Sequence, residues 1–250
     1  MRILLINPNT SEAITERVVF EARRIASPGT ELTGVTGRFG ARYIATRTAY
    51  AISAHAALDA YAAHHAGFDA VVLACFGDPG LRAVQEIATV PVIGMAEAAC
   101  IAAASRGKRF AIVTGGERWV AMLQEYVASI GLADRLATIR VIARDGAQIA
   151  ADPEGSLASL AEACRATATE GADVVTLGGA GLVGLAKRIV DQVPIPIVDA
   201  LEAAIAAAEA AVRSRAGAPI SSGLGGPVAT IGLGSSLSAL MLGKKAEEVA

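Results

Sequence analysis

The chain has 250 residues, a formal net charge of −2 and a composition that is 53% hydrophobic but only 4% aromatic. That length suits one large α/β domain or two lobes of about 100 residues each, with aliphatic side chains filling a core of helices on buried parallel strands. The near-neutral charge and the lack of a basic tract interleaved with aromatics argue against a nucleic-acid partner.

A membrane partner is equally unexpected. Mean hydropathy is +0.48, but charge or glycine breaks the apolar windows well short of the ~18 residues needed to span a bilayer. The opening MRILLINPNT is too short an apolar run for a signal peptide and reads as a first strand. Three cysteines, Cys75, Cys100 and Cys164, without CxxC spacing suggest neither a disulfide framework nor a zinc site. The expected location is the reducing cytoplasm. Alanine-rich helices suggest a homo-oligomer.

Taken in chain order, Arg2–Ile6 is the first strand, and the turn NPNTS (Asn7–Ser11) follows it. Glu31–Val35 is the second strand. It leads into GRFGARYIATRTAY (Gly37–Tyr50), where Arg42 and Arg47 flank Tyr43. An arginine pointing into a cleft there would grip a carboxylate in bidentate fashion; exposed loop arginines are the plainer reading. His55 sits at helical spacing between Ile52 and Leu58 and reads as packed, while His64 and His65 close a helix before Gly67.

Ala70–Ala74 is a third strand, and CFGDPG (Cys75–Gly80) turns it into a helix. Val92–Gly94 is a short fourth strand. Arg109–Val113, Thr138–Ile142, Val174–Leu177 and Ile197–Val198 complete the set, with TGGER (Thr114–Arg118) and GGAG (Gly178–Gly181) as the turns after the first and third of these. Ala200–Val212 reads as a buried helix. The Gly/Ser/Pro-rich tail is expected to end in a short helix, with ATIGLG and LSALML packed. Strands alternating with helices predict βαβ units and parallel sheets.

An internal repeat organises these elements. GFDAVVLACFGDPGLRAVQEIATVPVIGMAEAA from Gly67 aligns with GADVVTLGGAGLVGLAKRIVDQVPIPIVDALEAA from Gly171. Asp69 meets Asp173, Cys75 meets Gly179, Pro91 meets Pro196 and Glu97 meets Glu202, with one inserted residue between the pairs. The repeat predicts two pseudo-symmetric Rossmann-like lobes, each a parallel sheet flanked by helices, with the active site in the cleft between them. Residues 1–96 with about 205–250 would form lobe 1, and 97–204 lobe 2.

Ligands of open parallel sheets bind beyond the carboxyl ends of the strands, where helix starts favour anionic groups. NPNTS, CFGDPG, TGGER and GGAG lie at such ends, and none is a nucleotide motif. Ordinary turn and capping duty remains the alternative for Asn7, Asn9 and Thr10. Cys75, at a strand end before a Gly-Asp-Pro-Gly turn, is the expected reactive residue, with its pKa lowered by helix N-termini. Cys100 and Cys164, inside helical patterns, read as small packed hydrophobes.

INPNTS (Ile6–Ser11), CFGDPG (Cys75–Gly80), GGAGL (Gly178–Leu182) and VPIPIVDALEAA around Asp199 resemble the Asp/Glu/hydantoin racemase superfamily, with hydantoin and allantoin racemases nearest. The resemblance covers nearly the whole chain. It implies a cofactor-independent racemase or epimerase that moves the α-proton of an amino acid or hydantoin-type substrate between two cysteines on opposite faces of the carbon.

Carried over, Cys75 is the first cysteine. Gly179 stands where the second belongs in L-G-C-A-G, so the two-thiol reaction is incomplete. A water, Thr114 or Glu117 could supply the missing acid. A one-cysteine decarboxylase or cis–trans isomerase of the same fold, or a non-catalytic small-molecule binding protein, are the alternatives. The substrate-binding set expected from these turns is Asn9, Thr10, Phe39, Phe76, Gly77, Asp78, Thr114, Gly115, Gly179, Ala180 and Gly181, with no metal.

Overall fold

The computed structural model of the chain describes residues 1–215, 220, 223–224 and 226–243. The first half comprises β1 (Arg2–Asn7), α1 (Glu12–Ile25), β2 (Glu31–Thr36), α2 (Arg47–His64), β3 (Ala70–Leu73), α3 (Leu81–Ile87) and β4 (Val92–Gly94). Then come α4 (Met95–Arg106), β5 (Phe110–Gly115), α5 (Trp119–Ser129), β6 (Leu136–Ile142), α6 (Gly146–Ala151), α7 (Leu157–Thr169), β7 (Val174–Gly178), α8 (Ala186–Ile189) and β8 (Ile197–Asp199). Helices α9 (Ala200–Arg215) and α10 (Ser235–Met241) follow. Each strand expected from the sequence is present, with ends moved by no more than two residues.

The strands form two parallel four-stranded sheets of identical topology, β2-β1-β3-β4 and β6-β5-β7-β8. Strands β1, β3, β5 and β7 are buried along nearly their whole length. Covering helices on both faces explain why these segments are unbroken aliphatic runs rather than alternating ones. The outer strands β2 and β6 are mixed in exposure and in sequence.

The duplication extends to individual hydrogen bonds. The Arg2 main-chain N–H donates to Asp69 Oδ2 at 2.7 Å, and that of Arg109 donates to Asp173 Oδ2 at 2.9 Å. Each aspartate ties the start of its half's first strand to the start of its third.

Two helices cross between the halves. α4 follows β4 but packs on β7 and β8 of the second sheet, and α9 follows β8 but packs on β3, β4 and α1 of the first. They also pack on each other, within one hydrophobic core that runs from Ile3 and Leu5 through Met95 and Ala204 to Phe110 and Ile112. Glu209 of α9 is buried and fastens the crossing. Its carboxylate accepts from Ser27 N–H (2.8 Å), Ser27 Oγ (2.5 Å) and Thr30 Oγ1 (2.7 Å). So large an apolar contact disfavours free hinging of the halves.

Helix α10 packs on α2 through Leu237, as expected of LSALML, whereas Ile231 of ATIGLG is fully exposed instead of packed. The rest of the expected tail, at 216–219, 221–222, 225 and 244–250, lies outside the described residues. Cys100 and Cys164 are fully buried. Among the described residues no helix is long and apolar enough to cross a membrane.

Candidate active site between the two sheets

Each sheet reverses its strand order at its first strand, and the turns after β1, β3, β5 and β7 converge on one cavity. It has a volume of about 40 Å³, and Asn9, Cys75, Phe76, Thr114, Gly115, Gly179, Ala180 and Gly181 are among its lining residues. These eight expected site residues therefore share one wall-to-wall space. Thr10, Phe39, Gly77 and Asp78 do not line it.

The exceptions have structural occupations. The Thr10 main-chain N–H donates to Ala41 O at 3.1 Å. Phe39 packs edge-on against His55, with ring centroids 4.9 Å apart. The Gly77 carbonyl accepts from Tyr50 Oη at 2.7 Å. Asp78 turns away from the cavity toward the start of α4, where it accepts from Ala96 N–H (2.9 Å), Glu97 N–H (2.8 Å) and the Tyr126 hydroxyl.

Asn7 shapes the first turn. Its Nδ2 donates to Asn9 Oδ1 (2.9 Å), Ser11 O (3.1 Å) and Thr15 Oγ1 (3.0 Å), which sets Asn9 at the cavity. Thr114 Oγ1 donates to Gly178 O at 2.6 Å and so joins β5 to β7. That bond commits the hydroxyl proton considered above as a replacement acid. Glu117 is exposed and does not line the cavity. Neither Arg42 nor Arg47 does so either; Arg47 pairs with Glu125 on the surface.

Cys75 is 6% exposed and opens onto the cavity. The expected lowering of its pKa is overturned. Burial pushes the thiol up, and the nearby Asp78 charge adds to the shift. The sequence pattern correctly suggested a strand-end turn and showed an aspartate three residues on, but carried no measure of how little water reaches the sulfur. Cys75 is therefore a thiol that holds its proton.

Gly179 adopts φ +150°, and a Cβ built there would lie 3.1 Å from Leu182 Cδ1. The backbone is thus in a conformation that side chains other than glycine's rarely take. Nearby, Gly181 approaches the Gly146 carbonyl, which would lie 2.2 Å from an added Cβ. Glycines here bring main chain to the cavity surface.

Seven lining residues lie outside the expected set: Ile14, Tyr43, Ile44, Trp119, Gly146, Gly178 and Leu182. Tyr43, from the loop between β2 and α2, lines the cavity and reaches the second sheet, where its hydroxyl donates to Gly115 O at 3.2 Å. The only sequence signal was an aromatic ring in a Gly- and Arg-rich loop, and attention to charge favoured its arginine neighbours. Trp119, at the start of α5, also lines the cavity. Among the described residues no group of His, Cys, Asp and Glu is arranged to hold a metal ion.

Twin parallel sheets of one topology meeting at a glycine-walled cavity, with one thiol in its lining, define the class of α/β protein to which the chain belongs. The Asp/Glu/hydantoin racemase family profile matches residues 3–208, and the chain belongs to that family of isomerases. A hydantoin racemase from Paenarthrobacter aurescens is 35% identical over 199 residues, 78% of this chain and 84% of its own. An allantoin racemase structure from Klebsiella pneumoniae superposes with a TM-score of 0.84 at 33% identity, covering 96% of this chain and 98% of its own. An allantoin racemase from Pseudomonas fluorescens gives 0.82 at 34%, covering 86% and 92%.

Proposed function

We propose that this protein is a cofactor-independent racemase of neutral hydantoin-type rings, with Cys75 transferring the proton at the carbon next to the ring carbonyl. The observation that carries this reading is the cavity wall. Cys75 shares it with the main chain of Gly178–Gly181, and among the described residues no Lys, Arg, Asp or Glu lines it. A free carboxylate would enter without a cationic partner, which is costly on so largely apolar a wall. A cyclic ureide needs only hydrogen-bond partners, and apolar Ile14, Ile44 and Trp119 receive its substituent. The lack of an arginine clamp disfavours amino-acid and malonate substrates, and the decarboxylase alternative with them.

In this reading lobe 1 is residues 1–96 with about 205–250, lobe 2 is residues 97–204, and the ring lies between them. The enolate formed on proton removal is held by main-chain amides of the turns at Phe76 and Ala180. No acceptor among the described residues takes the main-chain N–H of Phe76 or Gly77, which supports that role.

The test follows optical rotation and α-proton exchange of single enantiomers of 5-substituted hydantoins and allantoin in D2O. Aspartate, glutamate and aryl malonates run alongside, with CO2 release measured. Loss of rotation with exchange, abolished in Cys75→Ser, is the expected result. CO2 release from a malonate without hydantoin turnover overturns the proposal. Ligand binding that survives Cys75→Ser, with no turnover by the parent, points to a binding protein instead.

A further inference from the structure

Racemisation needs a proton carrier on each face of the reacting carbon, and position 179 carries none. We propose that the Tyr43 phenol is the second carrier, standing on the second-sheet wall opposite the Cys75 thiol. The inference rests on the racemase reading above.

The geometry places phenol and thiol on different halves of the molecule. Cys75 lies in the turn after the third strand of the first sheet, two residues beyond Leu73. Tyr43 leaves the first sheet after β2 and crosses to the second. Its hydroxyl bonds Gly115 O at the end of β5, and a Cβ on Gly146 at the start of α6 would lie 2.8 Å from Cε2 of its ring. The Gly146 carbonyl in turn abuts Gly181, two residues from the vacant cysteine position. Tyr43, Gly146 and Gly179–Gly181 thus form one continuous stretch of cavity lining, and Cys75 lies in the same cavity. Of the other acids considered, Thr114 holds a shorter bond, 2.6 Å to Gly178 O against 3.2 Å from Tyr43 to Gly115 O, and is an alkanol, a far weaker acid than a phenol; Glu117 is exposed.

The phenol also has suitable chemistry. Burial holds its pKa above the ordinary tyrosine value, against the lowering effect of its hydrogen bonds and with the Asp145 charge adding, so the resting group carries its proton. In one direction Cys75 first yields its proton to solvent, and the resulting thiolate takes the α-proton as its S–H bond forms. The C–H electron pair passes into the enolate. The Tyr43 O–H then protonates the opposite face, leaving tyrosinate. Thiol and tyrosinate are the pair needed to convert the other enantiomer, and exchange with solvent restores the first pair.

Separating exchange from inversion tests this. Tyr43→Phe keeps the ring against Gly146 and removes only the hydroxyl. Inversion should fall by about 100-fold or more. Catalysed α-deuterium exchange with retention should continue for the one enantiomer that Cys75 serves. In Cys75→Ala the other enantiomer should be the one that exchanges. Tyr43→Phe that racemises at the parental rate overturns the inference and leaves the racemase reading intact, as does folded Tyr43→Phe that loses exchange on both enantiomers. A parent that exchanges neither enantiomer overturns both.

Should Tyr43→Phe fail to fold, a fluorinated tyrosine at position 43 serves instead. Its more acidic phenol should move the pH profile of tyrosinate-dependent turnover to lower pH and leave thiolate-dependent exchange unmoved. Unchanged profiles for both enantiomers overturn the inference.

Discussion

The carboxylate of Asp78 occupies the space that a side chain on Gly94 would need: a Cβ there would lie 2.1 Å from Asp78 Oδ2. Gly94 aligns in the repeat with Asp199, which caps its own helix by accepting from Leu201 N–H (3.0 Å) and Glu202 N–H (3.1 Å). Asp78 does the same for α4 at Ala96 and Glu97. Both crossing helices thus begin under a carboxylate. In the second half it comes from the helix's own N-cap, and in the first from the turn that also carries Cys75.

That exchange of positions can be reversed. Asp78→Gly alone strips the cap and leaves buried donors unpaired, at a cost of about 1–3 kcal/mol. Gly94→Asp alone forces two carboxylates together and destabilises by a similar order. The double variant copies the second half and should recover at least half of the summed loss. Glycine suits position 78, where φ is +51°. Urea denaturation midpoints of the four proteins measure the coupling, and simple additivity would sink the argument.

The same carboxyl sets a pH dependence. Burial pushes Asp78 up to about 7, against the lowering effect of its hydrogen bonds, whereas an unfolded aspartate titrates near ~3.9. Between those values the folded chain holds a proton that the unfolded chain has released. This contribution to stability is complete below about pH 4 and is lost as pH rises toward 7, by at most ~1.4 kcal/mol per pH unit. Stability of the parent relative to Asp78→Asn should therefore decline across pH 4.5–7. A relative stability that grows with pH shows instead that the carboxylate is charged when folded.

Glu209 carries the opposite sign. Burial opposes its ionisation, but hydrogen bonds from Ser27 and Thr30 prevail and hold its pKa below the ordinary glutamate value. Its stabilisation is present above the unfolded pKa and fades as pH falls through the folded one. Glu209→Ala should lower stability at pH 7 by about 1–3 kcal/mol, with the deficit shrinking in acid. Thermal melts at pH 7 and pH 3.5 compare the two, and an equal deficit at both contradicts the assignment.

A raised Cys75 thiol also has a chemical signature. Alkylation by iodoacetamide, followed by peptide mass mapping at Cys75, should be slow at neutral pH. It should climb about tenfold per pH unit through pH 9 without levelling off. A plateau near pH 8 would place the thiol at or below its ordinary value, as strand-end position alone suggested.

Much of the architecture was written along the chain. Aliphatic runs separated by glycine-rich turns marked the strands, and the repeat from Gly67 to Gly171 marked the twofold arrangement, because parallel strands buried on both faces need uninterrupted apolar sequence. Cys75 could be singled out for the same local reason, since a strand end beside a tight turn is where such sheets bind ligands. Burial, side-chain direction and partner choice are different in kind, because they depend on residues distant in sequence.

Only the assembled structure turned Asp78 away from the cavity and toward a helix that begins at Met95, carried the Tyr43 phenol across to Gly115, and left Arg42 and Arg47 outside the cavity. It also reversed the direction of the Cys75 shift. A pKa answers to the water and charge surrounding a group, and those are set by how the two sheets close on each other.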